Sequence, residues 1–133
     1  MANKDAAFGM KPVRMIGGAP YSGGQSRYRI ANDYDTAIFQ GDMVTQVTGG
    51  HIALHAHAGT DIIAFVIDDP MVVFEIQANI AFPIADLFGN FDIVYTTAGS
   101  TLTGISGAEL QVTDGGTALT LPVKAIDISQ DPS

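Results

Sequence analysis

The chain has 133 residues, 47% apolar and 15% charged, with a formal net charge of −8. That length suits one domain, the charged share lies well below the ~25% of an average soluble domain, and the acidity argues against nucleic acid as a partner. Cysteine is absent, which excludes disulfides and thiolate chemistry, and no apolar run reaches the ~18 residues of a membrane-spanning helix.

Charge is unevenly placed. Five of the six basic residues (Lys4, Lys11, Arg14, Arg27 and Arg29) fall within residues 1–29 against one acid, Asp5, so this segment is +4 and residues 30–133 are −12. Glycines and prolines (Gly9, Pro12, Gly17, Gly18, Pro20, Gly23, Gly24) oppose a long helix there. Residues 1–26 are expected to form an extended basic N-terminal arm, within which KPVRMI has a composition able to pair with a sheet edge, and residues 27–133 a β body. A basic arm on an acidic body suits contact with an acidic neighbour or another copy. The first residues, MANKDAAFGMKPVRM, lack the apolar stretch of a secretory signal, so the protein is expected to stay in the cytoplasm where it is made.

From Arg27 onward the pattern is that of strands. RYRIA (27–31) alternates, NDYD (32–35) reads as a turn, and AIFQGDMVTQV (37–47) carries a Gly-Asp break that predicts a bulge or tight bend. Gly49-Gly50 predicts a hairpin turn. HIALHAH (51–57) alternates strictly, with His51, His55 and His57 on one face. DIIAFVID (61–68) reads as a buried strand, ended by Asp69-Pro70, and MVVFEIQ (71–77) as another. Residues 78–90 hold one helical turn opened by Pro83 and closed by Gly89. FDIVYTT (91–97), AELQVT (108–113) and ALTLPVKAIDIS (118–129) are further strands, with a Gly/Ser/Thr stretch at 99–107 and a turn at Asp114-Gly115-Gly116. About seven or eight short strands at such spacing predict an all-β fold, a small barrel or sandwich.

Reactive motifs are few. GGAPYSGG (17–24) lacks the Gly-Lys-Ser/Thr end of a phosphate loop, GISG (104–107) has the wrong spacing for a nucleophile elbow, and Asp68-Asp69 point to opposite faces of a strand. Gly49, the His55-x-His57 pair and Asp61 resemble the first metal motif of the cupins, although Asp stands where that family has Glu and no later histidine supplies a second motif. A polar or interface face on a half-buried strand is preferred for these histidines. No catalytic residue, metal site or cofactor is assigned, and the chain is not expected to be an enzyme.

The segments FGMKPVRMIGGAPYSGGQSRYRI, AIFQGDMVTQV, AGTDIIAFVIDD, FGNFDIVYTTAGSTLTGISGAEL and LPVKAID together resemble the capsid cement, decoration or head structural proteins of tailed bacteriophages. The resemblance implies a small β domain on the outer capsid surface of the virion, a homotrimer at three-fold and quasi-three-fold positions, with an N-terminal segment contacting the major capsid protein. Similar proteins often continue a strand or two past the LPVKAID-like segment. The residues expected to bind the capsid are Lys4, Phe8, Met10, Lys11, Val13, Arg14, Met15, Ile16, Arg27 and Arg29, and deletion of residues 2–16 is expected to leave a folded body that no longer binds. A cupin-like metal enzyme, which would hold a stoichiometric metal lost on replacing His55 and His57, and a tail-associated carbohydrate-binding β module remain the alternatives. The latter usually needs exposed aromatics, and the chain has no Trp and four Tyr.

Overall fold

The computed structural model describes residues 6–30, 37–47, 51–53, 62–116 and 121–129; for 47, 51–53, 62–63 and 113–116 it describes the backbone alone. The protein is all-β. Nine strands occur among the described residues: β1 (Lys11–Met15), β2 (Ser26–Ile30), β3 (Thr45–Val47), β4 (His51–Ala53), β5 (Ile62–Val66), β6 (Val72–Glu75), β7 (Asn90–Val94), β8 (Glu109–Gly116) and β9 (Val123–Lys124). They form three small sheets, ordered β1-β6, β3-β4-β2-β5 and β8-β7-β9. All pairings are antiparallel except β2 with β4. The all-β architecture expected from strand spacing is thus met by small sheets of two to four strands.

Residues 11–15 do not hang free of the body. β1 pairs with β6, which lies far along the chain, and the register shift between Pro12 and Arg14 leaves Val13 as a bulge. Pro12, which has no N–H to donate, is tolerated because β1 lies at the edge of its sheet. Beyond Met15 the chain turns back through Gly17-Gly18, closed by Met15 N–H donating to the Ala19 carbonyl at 2.8 Å. Deleting residues 2–16 would therefore strip β6 of its partner and uncover Val72, which is buried. Point substitutions test the leader better than truncation.

β2 keeps the alternation its sequence predicts. Ser26, Tyr28 and Ile30 turn inward, while Arg27 and Arg29 are exposed. Ile30 is packed against Tyr28, Ile38, Val44, Ala64 and Val66. β5 differs from the fully buried strand expected: it is the sheet's edge, and Phe65, opposite Arg27, is 63% exposed. A second apolar group sits on the third sheet, where Phe91, Ala108, Leu110 and Val112 are buried. Phe82 leans on Phe91 with ring centroids 5.4 Å apart. The helical turn expected within residues 78–90 is a 3₁₀ turn, Ile84–Asp86, with Pro83 at its N-terminal cap and Gly89 N–H donating to the Asp86 carbonyl.

Two strand boundaries depart from expectation. Asp114-Gly115-Gly116 is not a turn but the end of β8, and a register shift between Asn90 and Asp92 lets Gly116 pair with Asn90. The strand expected across 118–129 reduces to β9 among the described residues. Residues 32–35, 49–50, 54–57 and 117–120, which carry other expectations above, lie outside the described residues.

A polar node ties these pieces together. The Gly-Asp break is a tight bend: Asp42 N–H donates to the Phe39 carbonyl, and Phe39 N–H to Asp42 Oδ2 at 2.8 Å. Ser106, 1% exposed, donates its hydroxyl to Asp42 Oδ1 and accepts from Ala108 N–H at 3.0 Å. Met10 N–H donates to the Gly41 carbonyl, and Gln40 bridges to the 104–106 segment. Gly9 fits this crossing because its φ is +72° and a Cβ would lie 2.6 Å from Ser106 Cβ and 2.9 Å from the Gly41 oxygen.

Candidate interaction surface

The leader, the 38–44 segment and β5 line one open cleft of about 660 Å³. Phe8, Met10, Lys11 and Pro12 line one part of it and Ala64–Ile67 another, with Ile38, Val44, Phe74, Glu75 and Ile105 between them. Its character is chiefly apolar, with Lys11, Asp42 and Glu75 as the charged members.

The residues expected to touch a capsid separate into three groups. Lys11 and Val13 are exposed on β1 and Ile16 just after it, and Arg27 and Arg29 are exposed on the outer face of β2. Phe8, Met10 and Met15 are half-buried, so their apolar surface is already partly used inside the chain. Arg14 is drawn back onto the body by Asp127, 3.5 Å away; such a loose, exposed ion pair contributes about 0–1 kcal/mol. Lys4 lies outside the described residues.

Exposed apolar side chains that pattern alone does not reveal extend this surface. Met71 sits beside Ile16, whose N–H donates to the Met71 carbonyl at 2.7 Å, and both side chains are exposed. Phe65 stands across from Arg27. Leu102, Ile84 and Phe88 are also exposed, Phe88 with a φ of +70°. In sequence each reads as an ordinary core residue, since no local signal marks a strand as an edge or a loop as projecting.

A hydroxyl–carboxylate cluster closes the open end of the β2–β5 ribbon. Tyr28 OH donates to Asp68 Oδ2 at 2.8 Å and Ser26 Oγ to Oδ1 at 3.0 Å. The Tyr28 hydrogen bond first, and the Ser26 bond second, hold the Asp68 carboxyl below the usual carboxylate range. The same bond, with the nearby negative charge, pushes the Tyr28 phenol up. The Asp68 contribution to stability is present above the usual carboxylate pKa and fades as pH falls through the lowered one. The Tyr28 contribution is present below the usual phenol pKa and fades as pH rises through the raised one. Tyr28→Phe should move the Asp68 midpoint upward in an NMR titration; an unmoved midpoint would mean the bond is absent in solution.

His55, His57 and Asp61 lie outside the described residues, and for His51 the backbone alone is described. Among the described residues no group of three or more His, Cys, Asp or Glu side chains is placed to hold a metal ion, and no helix is long and apolar enough to cross a membrane.

Fold and surface together define an all-β protein with a basic strand face, exposed apolar side chains along its edges and an apolar cleft. Compared with protein-family models, curated proteins and solved structures, the chain matches none.

Proposed function

We propose that this chain is a virion structural protein that binds the outer surface of an assembled tailed-phage capsid and cements neighbouring major capsid protein subunits. The observation that carries the reading is the pairing of charge with exposure. The basic residues concentrate in the first 29 positions; Lys11 stands exposed on β1, where Val13 and the following Ile16 are exposed too, and Arg27 and Arg29 stand exposed on the outer face of β2. A face of this kind suits an acidic protein surface with apolar patches. The resemblance to cement proteins points the same way.

The physical mechanism is linkage. A protein that binds the closed lattice better than free subunits stabilises the lattice by the difference. Contacts that are weak singly become effective when several copies, or a homotrimer, engage together. The strands bearing these residues are fixed in sheets before contact, so little ordering cost is incurred on docking.

Replacing Arg27 and Arg29 with Glu tests the reading. Both side chains point away from the Ile30 core, so the double variant should keep its folded core, which circular dichroism checks. Co-sedimentation with capsids lacking this protein should fall steeply, and binding of the unaltered chain should weaken as salt rises. Undiminished co-sedimentation of the double variant would remove this face from the lattice contact.

A further inference from the structure

We propose that the turn between β5 and β6 is a self-cleavage site. In mild acid the Asp69 side chain cuts its own peptide bond to Pro70, and the products stay assembled as one folded body. The proposal is independent of lattice binding.

The turn gathers the reacting groups. Met71 N–H donates to Asp69 Oδ1 at 2.9 Å, and the ring closed by this bond contains the Asp69-Pro70 peptide bond itself. Val72 N–H donates to the Asp69 carbonyl at 3.2 Å. A donor therefore already stands on the oxygen that gains charge when the carbonyl carbon is attacked. Both donors are fixed from behind: Val72 is buried and pairs with Met15 of β1, and the Met71 carbonyl accepts Ile16 N–H at 2.7 Å. A carboxylate held beside its target loses little freedom on reaching it. The neighbouring acid, Asp68, is engaged by Tyr28 and Ser26 and takes no part. Asp69, Pro70 and Met71 are exposed, so water and protons reach the bond.

The chemistry needs only water and a proton. The Asp69 carboxylate attacks its own main-chain carbonyl carbon and closes a cyclic anhydride. The C–N bond breaks, and the Pro70 nitrogen leaves as a secondary amine with a proton drawn from the solvent. Proline suits this departure, because its nitrogen belongs to a tertiary amide with no N–H and takes up a proton more readily than that of an ordinary peptide. Water then opens the anhydride. The net change is hydrolysis of one peptide bond, with a new carboxylate on residue 69 and a new amine on residue 70.

The fold holds the products together. The cut falls between the sheet that ends in β5 and the β1-β6 sheet, so it severs no strand. β1 belongs to fragment 1–69 and its partner β6 to fragment 70–133. Across the same division, the Gln40 backbone bonds to Gly104 and Ser106, Asp42 accepts the Ser106 hydroxyl, and Ala6 N–H donates to Gln77 Oε1 at 3.3 Å.

The test compares folded and unfolded chain. The purified protein is kept warm at the lowest pH at which circular dichroism still reports the native spectrum, and at that same pH in urea. Mass spectrometry follows the cut at 69–70 and the cut at Asp131-Pro132, a second pair of the same residues that corrects for the effect of urea on the chemistry. The corrected rate at 69–70 should be several-fold higher in the folded chain. Pro70→Ala should abolish that cut and leave the one at residue 131. The nicked protein should elute from gel filtration with the intact chain and part into fragments 1–69 and 70–133 only in urea. A rate at 69–70 no higher in the folded chain than in urea would show that the turn does not promote the reaction, and fragments that separate without denaturant would show that the fold does not bridge the cut; either overturns the proposal.

Discussion

Phe91→Ala should destabilise the protein by about 3–5 kcal/mol, the cost of deleting a buried aromatic ring and leaving a cavity. Phe91 is 0% exposed and is, with Ser106, one of the two largest fully buried side chains among the described residues. It lies on the central strand of its sheet, paired with Val123 of β9, and packs against the tilted ring of Phe82 from the chain before it. The ring therefore joins three separated stretches of sequence. Apolar residues that are fully buried are few among the described residues, so each holds a large share of a total stability that in domains of this kind is about 5–15 kcal/mol. A loss of that size lowers the melting temperature by roughly 10–20 °C at this chain length. Phe91→Leu, which keeps most of the volume, should cost far less. A Phe91→Ala variant that melts within a few degrees of the parent would show that this sheet is not held where the ring sits.

Asp42→Ala should cost about 2–6 kcal/mol through two unpaired donors, at roughly 1–3 kcal/mol each. One carboxylate oxygen takes the Phe39 N–H and the other takes the Ser106 hydroxyl. Ser106 is buried, so its hydroxyl has no ready replacement partner. Asp42→Asn keeps an acceptor for one of the two donors and turns its amide toward the other, so it should recover part of the loss. The effect extends beyond stability. Met10 N–H is held by the Gly41 carbonyl next to Asp42, so loosening the bend frees the leader. Limited proteolysis should show faster cleavage near residue 10 in Asp42→Ala than in the parent, at a temperature where both remain folded. Unchanged cleavage would separate the leader's anchorage from the node.

Much of the fold is legible in residue patterns. The alternation of RYRI predicts both a strand and its inward face, and the Gly-Asp break predicts the bend at 41–42. Pro83 and Gly89 bracket the one helical turn. What pattern cannot convey is which strand meets which. The pairing of β1 with β6 joins residues some sixty positions apart, and no periodicity in KPVRM encodes VVFE as its partner. The apolar run IIAFV has the composition of a central strand, and its place at an edge, with Phe65 in solvent, follows from neighbours elsewhere in the chain. Asp114-Gly115-Gly116 carries turn chemistry yet sits in a strand, because a register shift opposite Asn90 takes up the extra length. For the surface, the basic cluster at residues 1–29 was readable as a count. Its division into exposed Lys11, Arg27 and Arg29, ion-paired Arg14 and half-buried Phe8 and Met10 was not, since exposure depends on tertiary neighbours.

The distance between β1 and β6 has a consequence during synthesis. Met15 leaves the ribosome long before Val72, and at about 5–20 residues per second the interval is roughly 3–11 s. Throughout that time β1 has no mate, and its row of backbone groups is open to any other nascent chain nearby. The proline within it, which removes a donor from that row, and the cationic residues around it lessen the risk of premature clumping on polysomes.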